Sequence, residues 1–139
     1  MNVLIINGPN LNLLGKREPE IYGSENFETY FEKLKVLFPN YKLACFQSNH
    51  EGELIDAIQG AEAYDLIVMN PGGLSHTSIS LADAISAVST PVIEVHISNV
   101  HNREAFRQTL ITATASKAVI TGFGLDGYRM AIEGFFKGN

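Results

Sequence analysis

Five short apolar runs punctuate the chain, at residues 3–7, 43–46, 66–69, 92–95 and 118–120. Each runs out into a polar turn rich in Gly or Asn: Gly8-Pro9-Asn10, residues 47–53, 70–73, 96–99 and 121–124. Between the runs, apolar residues recur at helical spacing. The first predicted helix follows Ser24 as N-cap and carries Phe27, Tyr30, Phe31, Leu34 and Phe38 before Pro39-Asn40 stops it. A second follows Gly52 with Leu54, Ile55 and Ile58. A third starts within residues 75–78, capped by Ser75 or Thr77, and carries Ile79, Ala82, Ile85 and Val88 before Pro91. A fourth is predicted over residues 103–111 and a fifth over 126–136. Strands alternating with helices make a parallel sheet covered on both faces, so the fold class is α/β, a three-layer sandwich on five parallel strands. In such a sheet all strand carboxyl ends share one edge, where open α/β sheets bind ligands. The five polar turns therefore converge on one site.

Residues 11–23 break the alternation. This connection between the first strand and first helix has mixed charge and a tyrosine, and connections of that length in a compact domain are functional lids or disordered loops. It is taken as an active-site lid, within a single catalytic domain spanning residues 1–139. Composition narrows the partners. With a hydrophobic content of 45%, 18% charged residues and a net charge of −5, the chain reads as a soluble protein with no basic stripe for nucleic acid. A small anionic ligand remains compatible, because local charge can oppose net charge. The lone Cys45 excludes a disulfide framework and reads as a buried thiol. The first apolar run is too short and lacks the basic flank of a signal peptide, and no run reaches transmembrane length, so no membrane association and a cytoplasmic location are expected.

Candidate chemistry sits in the turns. Glu94, His96 and Ser98 alternate along one strand and share a face, and a Glu beside a His orients it as a general acid. Arg103 and Arg107 lie four apart on the predicted fourth helix; this is an anion site or a solvated basic face. Asn70 opens a Gly-rich turn that carries His76 and three hydroxyls into a helix start. Arg17 and Tyr22, read from the residues alone, are a surface arginine and tyrosine. A tyrosine ionises near pH 10, and an adjacent arginine is the obvious means of making it a base at neutral pH. The stretch from Gly122 to Gly127 spells GxGxxG, but it follows the last strand, leaving no room for a dinucleotide-binding βαβ unit. No His, Cys and carboxylate cluster has metal-ligand spacing, so neither a metal nor a cofactor is expected.

Taken together, the blocks INGPNLNLLGKREPEIYG, FQSNHEGELIDAI, NPGGLSHTSISLADAI, EVHISNVHNREAFR and GFGLDGYRMAI resemble the signature of type II 3-dehydroquinate dehydratase. The resemblance implies a flavodoxin-like fold and a homododecamer built as a tetramer of trimers. It also implies a lyase of the shikimate pathway to chorismate and the aromatic amino acids, converting 3-dehydroquinate to 3-dehydroshikimate by anti elimination through an enolate. By the same resemblance, Tyr22 is the base, held near phenolate by Arg17 with help from Arg103. His96 is the acid, oriented by Glu94, and Asn10 holds a water at the enolate. Ile97 and Ser98 contact the substrate carboxylate; Asn70, His76 and Arg107 bind ring hydroxyls; Asp83 reaches a neighbouring subunit's site.

Other readings of the same fold are weaker at the decisive positions. A non-catalytic flavodoxin-like module binding a small anionic ligand calls for a hydroxyl-rich loop after the first strand, where this chain has Asn7-Gly8-Pro9-Asn10. A signalling receiver domain needs acidic residues where Asn10 and Asn70 stand.

Overall fold

The computed structural model describes residues 1–16, 18–22 and 24–137, the side chain of Tyr22 excepted. Its five strands are β1 (Asn2–Asn7), β2 (Lys42–Gln47), β3 (Leu66–Asn70), β4 (Val92–His96) and β5 (Ala118–Thr121). All neighbouring strands pair in parallel, in the order β2-β1-β3-β4-β5. This is the flavodoxin-like doubly wound order. The helices are α1 (Pro19–Tyr22), α2 (Phe27–Leu37), α3 (Glu51–Gln59), α4 (Ile79–Ala87) and α5 (Asp126–Lys137).

Strand alternation divides the core in two. Val3, Ile5, Leu66, Val68, Ile93 and Val95 point toward α2 and α5, where Phe27, Tyr30, Leu34, Tyr128 and Ile132 meet them. Leu4, Ile6, Ile67, Met69 and Val92 point the other way, against Leu54 and Ile58 of α3 and Leu81, Ala84 and Ile85 of α4. Each fully buried Leu, Ile or Val contributes about 1.5–3 kcal/mol. Both layers are needed, since a parallel sheet cannot leave a face to water.

Several sequence expectations are corrected here. The N-cap of α2 is Asn26, whose side chain accepts from the Thr29 amide at 2.8 Å; Ser24 lies too far upstream. Helix α3 begins at Glu51 and contains Gly52. Ser78, not Ser75 or Thr77, caps α4, its Oγ accepting from the Leu81 amide at 2.9 Å. Residues 72–76 form a 3-10 helix of their own ahead of that cap. Over residues 103–111 there is no α-helix. The segment folds as short 3-10 turns at Val100–Asn102, Ala105–Gln108 and Thr112–Ala115. It carries no apolar stripe long enough to bind it along the sheet. Cys45 is exposed, because β2 is an edge strand with only partial cover. Residues 11–22 contain a 3-10 turn (Leu11–Leu13) and α1; Arg17 and Gly23 of the expected lid lie outside the described residues. Among the described residues no helix is long and apolar enough to cross a membrane.

The exits of β1 and β3 are locked together. The Gly8 amide donates to the Asn70 carbonyl at 2.8 Å, and a Cβ on Gly8 would stand 2.5 Å from the Pro71 carbonyl oxygen. Gly134, inside α5, has nothing within 4 Å of such an atom. Opposite outcomes are expected from the same substitution. Gly8→Ala should destabilise by about 1–3 kcal/mol through overpacking. Gly134→Ala should stabilise by about 0.5–1 kcal/mol through reduced backbone entropy. Denaturant unfolding of both variants checks the pair.

Candidate active site

Every strand end contributes to the polar edge, but β1, β3 and β4 build the cavity. It measures about 110 Å³ and is lined by Asn10, Asn70, His76, His96, Ile97, Ser98, Arg103 and Arg107, with Pro9, Leu11, Gly72, Gly73 and Val100 filling between them. Of the residues named from sequence, these eight meet in one place. Glu94 lies beneath, fully buried. Asp83 is exposed on α4 and does not line the cavity of its own chain. Arg17 and the Tyr22 side chain lie outside the described residues.

The acidic centre comes from β4, which is two-faced. Ile93 and Val95 enter the apolar layer under α2 and α5, while Glu94 and His96 point to the opposite face. Ser98 falls past the end of the strand, in the turn. His96 Nε2 donates to Glu94 Oε2 at 2.7 Å. A buried carboxylate is stable only when hydrogen-bonded, so this contact fixes the ring and the tautomer together. Nδ1 is left as the nitrogen able to exchange a proton with a ligand.

His76 is held from the other side. Its Nδ1 donates to the Thr109 carbonyl at 2.8 Å, and its Nε2 is buried with no protein partner. The rings of His76 and His96 are 6.2 Å apart and inclined by 28°. Burial, the Thr109 contact notwithstanding, pushes the His76 pKa below its ordinary value, helped by the neighbouring His96 and Arg107. The neutral ring presents Nε2 as a hydrogen-bond acceptor, suited to a ligand hydroxyl.

Two guanidinium groups supply the charge. Arg103 Nη1 donates to Ser98 Oγ at 3.1 Å, and its Nη2 is 4.0 Å from Glu18 Oε2, ahead of α1. Arg107 Nε donates to Glu104 Oε2 at 2.8 Å. The two arginines reach one cavity through irregular turns, not through a shared helical face. Among the described residues no carboxylate lines the cavity itself, so its charge suits an anion.

Asn10 adopts the left-handed conformation, φ 71° and ψ −4°. Asparagine tolerates this better than most residues. A clamp that sequence reasoning missed holds it there. The Asn10 amide donates to Asn49 Oδ1 at 3.0 Å, and Gln47 Nε2 bridges Asn49 Oδ1 and the Gly8 carbonyl, each at 3.2 Å. No distinct signal marks it in the sequence, because the polar run after the second strand also turns the chain into α3, where the His50 amide donates to Ser48 Oγ at 2.9 Å. Below it, the Tyr128 hydroxyl donates to Asn7 Oδ1 at 2.6 Å, and Asn70 Oδ1 accepts the Gly72 amide at 3.0 Å. The glycines of the GxGxxG stretch serve the backbone turn and helix packing. Gly122 has φ 93°, and a Cβ on Gly127 would come within 2.9 Å of Val95 Cγ1. Among the described residues, no group of three or more His, Cys, Asp or Glu is placed to hold a metal ion.

The depressed His76 pKa has a stability consequence. The unfolded chain binds a proton near pH 6.5 that the folded ring refuses, so stability is full above that value and falls as pH drops below it. His76→Gln should flatten part of this fall. Denaturant midpoints of both proteins between about pH 5 and 8 check the difference in slope.

The family is identified by comparison with known proteins. Residues 1–136 match the family model described as dehydroquinase class II. A 3-dehydroquinate dehydratase of Clostridium botulinum is 52% identical over 135 residues, which cover 95% of this chain and 92% of that protein. One of Bacillus licheniformis is 50% identical over 141 residues, covering 99% and 97%. The crystal structure of type II dehydroquinase from Butyrivibrio crossotus superposes with a TM-score of 0.92 at 48% identity, over 96% of this chain and 95% of that one. A fold, a cavity and a match that runs nearly end to end place this chain in the class II dehydroquinase family.

Proposed function

We propose that this protein is a type II 3-dehydroquinate dehydratase, a lyase that removes water from 3-dehydroquinate to give 3-dehydroshikimate. The observation that carries the reading is the pairing of a buried Glu94–His96 dyad with a cavity charged by Arg103 and Arg107. The ketone at C3 acidifies the C2 hydrogen, so elimination runs through an enolate with no covalent bond to the protein. The site must then supply a base, an acid and a donor to the enolate oxygen.

His96 is assigned as the acid that protonates the departing C1 hydroxyl as water. Glu94 holds its ring and stabilises the charge before transfer. Tyr22, as phenolate stabilised by Arg17 and Arg103, takes the C2 proton. Asn10 positions a water against the enolate oxygen. Ile97 and Ser98 receive the substrate carboxylate, while Asn70, His76 and Arg107 bind the ring hydroxyls. Proton exchange with solvent then resets Tyr22 and His96. The roles of Tyr22 and Arg17 rest on the family resemblance. Their support in the structure is indirect: Glu18, just ahead of α1, lies 4.0 Å from Arg103 of the cavity.

The same proposal makes residues 1–139 one catalytic domain with residues 11–23 as its lid. It includes a homododecamer arranged as a tetramer of trimers and a cytoplasmic location. The exposed position of Asp83 supports its reaching a neighbouring subunit's cavity.

Purified protein given 3-dehydroquinate should form the conjugated product, followed by ultraviolet absorbance, with no loss after borohydride treatment. Absence of turnover from folded protein would leave a non-catalytic module that binds a small anion. Tyr22→Phe should abolish nearly all turnover yet retain product binding; retained turnover removes Tyr22 as the base. For Asp83→Ala, weaker assembly together with lower activity is expected. An intact oligomer with normal kinetics refutes the shared site, read by sedimentation alongside the assay.

A further inference from the structure

Glu94 has two carboxylate oxygens and no exposure to solvent. Oε2 accepts from His96. Oε1 accepts from the Thr112 hydroxyl at 2.5 Å, across 18 residues of sequence, and Thr112 is itself fully buried. A carboxylate held at one oxygen can turn about its terminal torsion, which is soft. Held at both, it cannot.

The segment that delivers Thr112 is anchored to the other histidine. The Thr109 carbonyl accepts from His76 Nδ1, and the Ile111 amide donates to the Ser75 carbonyl at 2.7 Å. Downstream, the Thr112 carbonyl accepts from Ser116 Oγ at 3.0 Å. Within four residues, the chain contacts the turn bearing His76 twice and Glu94 once. It forms a bracket joining the supports of both cavity histidines.

We propose that Thr112 is a positioning residue for the dehydration, locking Glu94 so that His96 keeps its free ring nitrogen toward the cavity. The proposal rests on the assignment of His96 as the acid. It goes beyond satisfying a buried carboxylate, because the second oxygen of Glu94 is tied to the segment that orients His76 and not to a neighbouring strand. A hydrogen bond to a charged group is among the stronger kind, and its loss leaves a buried oxygen unpaired.

The test compares Thr112→Val, which removes the hydroxyl while keeping the side chain's shape, with Thr112→Ser, which keeps the hydroxyl. In Thr112→Val, kcat should fall about tenfold, equivalent to about 1.4 kcal/mol, with KM changed less than about twofold. Thr112→Ser should return kcat to within about twofold of wild type. In a Glu94→Gln background the valine substitution should cost less than about twofold more, since coupled residues are not additive. The ring N–H resonance of His96 in ligand-free protein should move in Thr112→Val and return in Thr112→Ser. That spectrum needs no substrate, so it separates failure of the bracket from failure of the dehydratase assignment. An unmoved resonance with unchanged kcat overturns the proposal. So does a loss that serine does not restore, or one that adds in full to Glu94→Gln, because those outcomes assign Thr112 to packing. If the valine protein does not fold, Thr112→Cys, of similar size and weaker donor strength, takes its place under the same criteria.

Discussion

A charged carboxylate at the centre of a parallel sheet is the constraint around which the site is built. Glu94 sits among Met69, Val92 and the α4 layer with no access to water. Left unpaired, such a group would shed its charge or unfold its surroundings. Two partners prevent that, His96 from the end of the same strand and Thr112 from a 3-10 turn 18 residues on. The strand ends have little freedom to move once those partners are in place. The anion-binding arginines, the neutral His76 and the left-handed Asn10 are then arranged around a dyad whose orientation is already settled.

The electrostatics follow a simple division. Below the cavity floor lies one negative group, shielded from the ligand by the imidazole of His96. On the wall lie two guanidinium groups with their own surface carboxylate, Glu104, which Arg107 and Arg103 hold below the usual carboxylate range. The carboxylates that pair with the arginines, Glu18 and Glu104, are themselves exposed, so they can turn out to water when an anion enters. It cannot displace Glu94. The chain thereby keeps a net charge of −5 overall and a site suited to an anion locally.

The layered fold was legible because its signals were redundant. Each strand was a mainly apolar run, broken in β4 only by Glu94 and His96, each ended in a polar turn, and apolar stripes marked the four longer helices. The segment after β4 was misread because two arginines four apart suit a helix on paper. Only tertiary contacts, such as the Ile111 amide to Ser75, show that the backbone is spent elsewhere. Cys45 was misread for a related reason: an apolar run gives no sign of which strand lies at an edge. In the site, eight residues named by the family resemblance and by their place in the turns line the cavity; Asp83 does not, and Arg17 and the Tyr22 side chain lie outside the described residues. Thr112, Asn49 and Gln47 were invisible, since their role is a hydrogen bond across 18 or 39 residues. Such contacts leave no periodic trace.

The Tyr128–Asn7 hydrogen bond joins residues 121 positions apart, and the same ring packs 5.1 Å from Phe27. During synthesis the first strand and α2 emerge long before α5. Until α5 arrives, the Phe27, Tyr30 and Leu34 face stands bare, and Asn7 has no phenol to pair with. Such a bare aromatic face is a ready target for chaperones or for aggregation. The last helix therefore closes both the core and the polar floor beside the cavity in one event. A chain whose α5 has not yet packed lacks a finished core and a finished floor at once.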